Sequence, residues 1–107
     1  MPKLLPRRYI MVKVGLLVRL VAKPGKEEEV AAFLASALPL AQSEKETVVW
    51  YAIRLSKSEF GVFDAFDADS GRQAHLGGPI AKALMAKATE LFSEPPRIDP
   101  VDVLAAK

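Results

Sequence analysis

The sequence predicts an α+β fold of the ferredoxin-like type, in which a four-stranded antiparallel sheet carries two helices on one face in the order βαββαβ. Three observations predict it: strand-like runs of β-branched residues, two stretches with apolar residues at helical spacing, and proline or glycine between them. The chain has 107 residues, 50% hydrophobic and 26% charged. This composition predicts one globular domain, which we place at residues 12–107 after a flexible lead-in at residues 1–11.

The first strand and the first helix are predicted from residues 12–38. Residues 12–22 (VKVGLLVRLVA) are rich in β-branched side chains and end at a Lys-Pro-Gly turn, which indicates a strand. The following stretch places apolar residues on one helical face: Val30, Phe33, Leu34, Ala37 and Leu38. Three glutamates precede that face and favour the positive end of a helix dipole. Pro39 cannot continue a helix, so we expect the helix to end at about Leu38.

The second half of the chain predicts a hairpin, an interrupted helix and a last strand. Residues 47–55 and 60–67 are strand-like and are joined by a short polar loop, so they should pair antiparallel. A helix should begin near Ser70, break at Gly77-Gly78-Pro79 and resume from Pro79 to about Phe92. Residues 98–104 can form a short strand, in which Pro100 requires an edge or a bulge.

Both faces of the predicted sheet are apolar. In the second strand, two apolar sets alternate: Val49, Tyr51 and Ile53 with Val48, Trp50 and Ala52. An antiparallel sheet that is open to water on one side is normally polar on that side, so the second face needs a cover. An identical copy can supply it, and burying several hundred Å² is worth on the order of ten kcal/mol before the cost of association. We therefore expect a homodimer in which the two sheets face each other as an α+β barrel.

Composition excludes several classes of function. The sequence has no cysteine and one histidine, which excludes disulfides, thiolate ligands and a multi-histidine metal centre within one chain. Lys3, Arg7 and Arg8 carry the net charge of +2, since the remaining residues hold 12 basic and 13 acidic side chains, so we expect no nucleic-acid partner. No apolar run approaches a membrane span of about 20 residues, and no secretory h-region is present, so we expect a cytoplasmic protein without a membrane partner.

Other motifs favour neither a metal nor a nucleotide. The Asp67-x-Asp69-x-Gly71 pattern resembles the start of a calcium loop but has Gly78 at the twelfth position, where such loops have glutamate. Gly77-Gly78 lies outside any GxGxxG or GxxxxGK pattern. Phe60-Gly61 lacks the second stacking aromatic of RNA-recognition modules.

A few residues remain as site candidates. His75 is the side chain whose ordinary pKa, near 6.5, suits proton transfer at neutral pH. It can serve as a base or donor at a pocket, or as a structural hydrogen-bonding group at a helix end. Trp50 can line a pocket or belong to the core or an interface. Arg72 is expected to be solvated or paired.

The segment 60–67 (FGVFDAFD) and its continuation through 71–76 (GRQAHL) resemble the antibiotic biosynthesis monooxygenase family. In that family an acidic residue near a strand end and an aromatic two positions later precede a helical histidine by about nine residues. Asp64, Phe66 and His75 occupy those places. The resemblance implies a ferredoxin-like dimer that forms an α+β barrel.

Enzymes of that family oxidise quinols or phenolic aromatics with O₂ and without metal or flavin. The resemblance implies that His75 accepts the proton, with Asp64 orienting it, that Trp50 and Phe66 pack against the ring, and that Arg72 stabilises the phenolate. It implies no cofactor. The residues characteristic of haem-degrading relatives are absent, and the turn at Ser43-Glu44-Lys45-Glu46 departs from a common Glu-Pro-Gly turn of the family.

The alternative function is a non-catalytic dimeric barrel that binds a small hydrophobic ligand. Convergence of Asp64, Phe66 and His75 on one cavity of roughly 300 Å³ favours the enzyme. A His75 that points to solvent, or a much smaller cavity, favours the binding or structural alternative.

Overall fold

Four helices cover one face of a four-stranded antiparallel sheet in a computed structural model that describes residues 11–107. Residues 1–10 of the predicted lead-in lie outside the described residues. The elements follow one another along the chain as β1 (Val14–Val21), α1 (Glu27–Ser36), α2 (Leu38–Ser43), β2 (Val49–Arg54), β3 (Glu59–Phe66), α3 (Asp69–Leu76), α4 (Pro79–Leu91) and β4 (Arg97–Asp102). The predicted ferredoxin-like α+β fold is confirmed.

The sheet has the strand order β2-β3-β1-β4, so β1 and β3 are central. All its neighbouring strands are antiparallel, and the predicted β2–β3 hairpin is formed. Val18 lies opposite Val62 on one side and Ile98 on the other. Pro100 lies in the edge strand β4, where a missing N–H breaks no interior ladder.

The predicted C-terminal end of the first helix, at about Leu38, is wrong. The helix α1 ends at Ser36, and Pro39 lies in the first turn of a separate short helix, α2, which the periodicity did not predict. A proline costs little in the first turn of a helix, because the N–H groups there have no carbonyl partner within the helix. The predicted break between α3 and α4 is present, and Pro79 begins α4.

The core lies between the sheet and the helices. It is built from buried side chains of β1, β3 and the long helices: Val18, Leu20, Val30, Leu34, Phe60, Val62, Leu84 and Leu91. The even-numbered residues of β1, such as Val18 and Leu20, therefore face the helices. Because side chains alternate along a strand, the odd-numbered residues of β1 and the β3 residues opposite them face the other side of the sheet.

The face of the sheet away from the helices, here called the open face, is largely apolar. Tyr51 and Ile53 are 60% and 43% exposed there. Leu17, Val49 and Phe63 are partly exposed on the same face. Charged side chains of Arg19, Arg97 and Asp99 lie on its β1–β4 side. Within residues 11–107, no helix is both long enough and apolar enough to cross a membrane.

Candidate functional site

A buried carboxylate lies at the centre of the candidate site. Asp64 stands on the central strand β3, on the face that the helices cover, and it is 0% exposed. Its Oδ2 is 2.9 Å from Nε2 of His75, within ion-pair distance. Its Oδ1 has no hydrogen-bond partner in the described structure. A buried carboxylate is costly without a partner, so this oxygen is a strong acceptor held in an apolar environment.

The imidazole of His75 lies between two carboxylates. It comes from the last turn of α3 and is 7% exposed. Nδ1 lies 2.6 Å from Oε1 of Glu44, on the side opposite Asp64. The ring also packs against Phe66, with 5.5 Å between ring centroids. His75 is therefore oriented on three sides by β3 and by the loop that precedes β2.

These neighbours determine the charge of His75. Burial by itself lowers the pKa of His75, but its interactions with Asp64 and then Glu44 outweigh burial and raise the pKa to about 9. The imidazole is consequently protonated at neutral pH. The expectation of an ordinary pKa near 6.5 is corrected, because sequence spacing shows neither of the carboxylates that contact the ring.

Glu44 is a site residue that the sequence reasoning missed. It follows α2 in the loop to β2, and Thr47 Oγ1 donates a 2.7 Å hydrogen bond to its Oε1. Its side chain is 17% exposed. The turn at residues 43–46 was noted as unusual, but nothing in its composition indicates that one of its glutamates meets a histidine 31 positions later.

The two buried groups open onto a cavity between the sheet and the helices. Its walls are mainly apolar and include Leu16, Val18, Leu34, Val62, Leu84 and Ile98, and Trp50, Asp64 and His75 also line it. Its volume is about 40 Å³. That is room for a water-sized occupant and far below the roughly 300 Å³ expected of a pocket for an aromatic substrate.

Trp50 lines this cavity and carries an unused donor. Trp50 and Asp64 are directly opposite each other across the β2–β3 ladder, so their side chains share one face. The buried Nε1 of Trp50 has no hydrogen-bond partner in the described structure. A free donor and a free acceptor therefore lie on neighbouring strands beside the same cavity.

The predicted site residues separate into two groups. Asp64, His75 and Trp50 converge on the cavity, whereas Phe66 supports the His75 ring from β3 without lining it. Arg72 is directed elsewhere: its guanidinium donates to the carbonyls of Gly15 and Val101 at 3.3 Å each and pairs with Asp69. It is thus paired, and it ties α3 to the sheet.

The described residues contain no cluster of three or more histidine, aspartate or glutamate side chains arranged to hold a metal ion. The Asp67 and Asp69 side chains are exposed at the start of α3.

Comparison with solved structures identifies the family. A protein of unknown function from Nitrosomonas europaea is 59% identical, with a TM-score of 0.89 over 91% of this chain and 94% of that one. The chain belongs to the family of that protein. No protein-family model matches the sequence, and neither does any curated protein.

More distant structures share the fold. One, named a putative antibiotic biosynthesis monooxygenase from Nitrosomonas europaea, is 13% identical with a TM-score of 0.76, over 86% of this chain and 90% of that one. A second of the same name, from Caulobacter crescentus, is 20% identical with a TM-score of 0.66, over 91% of this chain and 94% of that one. The chain therefore has the antibiotic biosynthesis monooxygenase fold, as the resemblance of residues 60–76 implies.

Proposed function

We propose that the protein is a cofactor-independent monooxygenase that oxidises a small phenolic or quinol-type aromatic with O₂. Three features support this proposal: the fold shared with proteins named as monooxygenases, the apolar cavity, and the unpaired polar atoms at its end. The last of these carries the argument.

The unpaired atoms match a hydroxyl group. Asp64 Oδ1 needs a donor and Trp50 Nε1 needs an acceptor, and both are buried beside one cavity. A phenolic hydroxyl supplies one donor and one acceptor. The apolar walls suit its ring, but the cavity of about 40 Å³ admits the ring only after the helices and the sheet move apart.

The chemistry follows from this placement. Asp64 accepts the hydroxyl proton, and Trp50 donates to the phenolate oxygen that results. The electron-rich phenolate then reduces O₂ itself. For 1-naphthol, the O–H bond, one ring C–H bond and the O–O bond break, and one C–O bond and the two O–H bonds of water form. The arene loses four electrons and O₂ gains them: one oxygen atom enters the ring and the other leaves as water with the two hydrogens, so one naphthol and one O₂ yield one naphthoquinone and one water.

His75 has a different role here from the one that the resemblance implies. A histidine whose pKa is about 9 already carries its proton at neutral pH and is a poor acceptor. We assign proton acceptance to Asp64, and His75, 2.9 Å away, supplies a positive charge that balances charge during the reaction.

The proposed assembly is a homodimer that covers the open face. Exposed Tyr51 and Ile53 lie on a largely apolar sheet surface, which an identical surface complements across a two-fold axis. The open face is on the side of the sheet opposite Asp64, so each subunit keeps its own cavity.

A second candidate function is the binding of a small hydrophobic ligand without turnover. The apolar walls of the cavity suit such a ligand, and in a cavity of about 40 Å³ an aromatic ligand, like an aromatic substrate, enters only if the helices and the sheet move apart. Binding of naphthol without oxygen uptake would establish this alternative.

Oxygen consumption tests the proposal. Purified protein is assayed against hydroquinones and naphthols with a metal chelator present. We expect Asp64→Asn to lower turnover by about 10²–10⁴-fold, the usual contribution of a general base. The control is Asp67→Asn, the same change at an exposed position of the same segment. Equal oxygen uptake by wild type and Asp64→Asn would reject Asp64 as the acceptor.

A further inference from the structure

Glu44 reaches His75 through a second crevice on the outer side of the ring. This crevice has a volume of about 170 Å³ and is lined by residues 44–47 together with Gly71, Ala74, Gly78 and Pro79. His75 lines both this crevice and the inner cavity. The imidazole therefore lies between this outer crevice and the apolar space that Asp64 faces.

Two glycines let the loop that carries Glu44 approach α3 and α4 closely. A Cβ atom on Gly71 would lie 2.9 Å from Cβ of Glu46, and one on Gly78 would lie 3.3 Å from Oε2 of Glu44. Gly78 has φ −90° and Gly71 lies inside α3, so neither needs glycine for its own backbone conformation. Their small size serves the contact with the loop. This close packing of the loop and the hydrogen bond from Thr47 together hold the Glu44 carboxylate against Nδ1 of His75.

The charges around His75 come from two elements. Asp64 faces it from β3, and Glu44 faces it from the loop. Lys45 and Glu46 also line the outer crevice, where both are exposed. Two close carboxylates on opposite ring nitrogens favour the imidazolium over the neutral ring. With only Asp64 present, this preference would be weaker.

We infer that Glu44 is a positioning residue, which holds the imidazole of His75 against Asp64 and so keeps the Asp64 carboxylate oriented toward the cavity. The inference rests on the proposed function only for the source of the proton that Asp64 accepts. The contacts between Glu44, His75 and Asp64 do not depend on that function, because they exist without a substrate.

The test follows the titration of His75 by NMR, which is unambiguous because the chain has one histidine. We expect Glu44→Gln to lower the His75 titration midpoint by about 1–3 pH units, the size of a close opposite charge. Glu44→Asp, which keeps the charge on a shorter side chain, should restore part of that shift. The matched control is Glu46→Gln, which removes a charge from the same loop and should leave the midpoint unchanged.

A steric variant gives independent evidence. A Cβ atom at position 78 would lie 3.3 Å from Oε2 of Glu44 and from the carbonyl oxygens of Ala74 and His75, so Gly78→Ala disturbs the contact between Glu44 and His75 without removing any charge and should lower the midpoint in the same direction. If Glu44→Gln does not fold, the His75 midpoint of Gly78→Ala tests the inference in its place. An unchanged midpoint in folded Glu44→Gln, or in Gly78→Ala when Glu44→Gln is unfolded, would overturn the inference.

Kinetics separate this inference from the proposed function. In an active enzyme, Glu44→Gln should lower kcat and shift its pH profile with the His75 midpoint, while KM for 1-naphthol changes little. If wild type consumes no oxygen, the proposed reaction fails. The titration of His75 still decides the role of Glu44 in that case.

Discussion

The protonation of His75 predicts that the folded protein loses stability at alkaline pH. Its pKa is raised from 6.5 to about 9 by the two carboxylates. A group with a raised pKa in the folded state contributes stability that is fully present below pH 6.5. The contribution is lost as the pH rises through about 9. At 1.36 kcal/mol per pKa unit, it amounts to about 3 kcal/mol.

Urea unfolding at fixed protein concentration measures this loss. Concentration must be fixed because the stability of the proposed dimer would depend on it. We expect the unfolding free energy of wild type to fall by about 3 kcal/mol relative to His75→Gln between pH 6 and pH 10, which moves the urea midpoint by about 1–3 M. The difference between the two proteins isolates His75 from lysine and tyrosine titration.

One outcome would refute this reasoning. If wild type and His75→Gln show the same pH dependence over that range, the carboxylates do not hold a proton on His75 in the folded state. The roles assigned to Asp64 and Glu44 would then lose their electrostatic basis.

Three further predictions concern the sheet and the cavity. Ile53→Lys on the open face should convert the proposed dimer to monomer at micromolar concentration in sedimentation experiments, because a buried unpaired charge is costly; a stable dimer would mean that another surface associates. Gly15→Ala should lower stability by about 1–3 kcal/mol in thermal unfolding, since its Cβ would lie 2.6 Å from the Asp64 carbonyl oxygen; an unchanged melting temperature would contradict that close approach. Trp50→Phe should weaken 1-naphthol binding by about tenfold in calorimetry, because it removes the unpaired donor and keeps the ring; equal affinity would exclude Trp50 as the hydroxyl donor.

The resemblance of residues 60–76 to a known family, and not the periodicity of the chain, singled out Asp64 and His75 together. The structure brings the two side chains into contact because α3 begins shortly after β3, so a short connection places His75 beside Asp64. The prediction that Arg72 stabilises a phenolate is not supported by its contacts. Its long side chain reaches two backbone carbonyls of β1 and β4, and no residue pattern near Arg72 indicates those acceptors.

The boundary between α1 and α2 shows a similar limit. A proline is a helix breaker in one position and a favourable first-turn residue in another. Local sequence alone allowed both interpretations of Pro39, and the structure realises the second. The cavity volume was equally inaccessible, because it depends on how closely Leu34 and Leu84 pack against the sheet.

By itself, the sequence determined the fold class, the strand and helix faces, and the apolar character of the open face, since each follows from the spacing of side chains along a regular backbone. Tertiary structure decided the charge of the site. Glu44 and His75 are 31 positions apart, and their 2.6 Å contact exists because the loop before β2 packs against Gly71 and Gly78. A pKa depends on distances through space, and periodicity along the chain does not specify them.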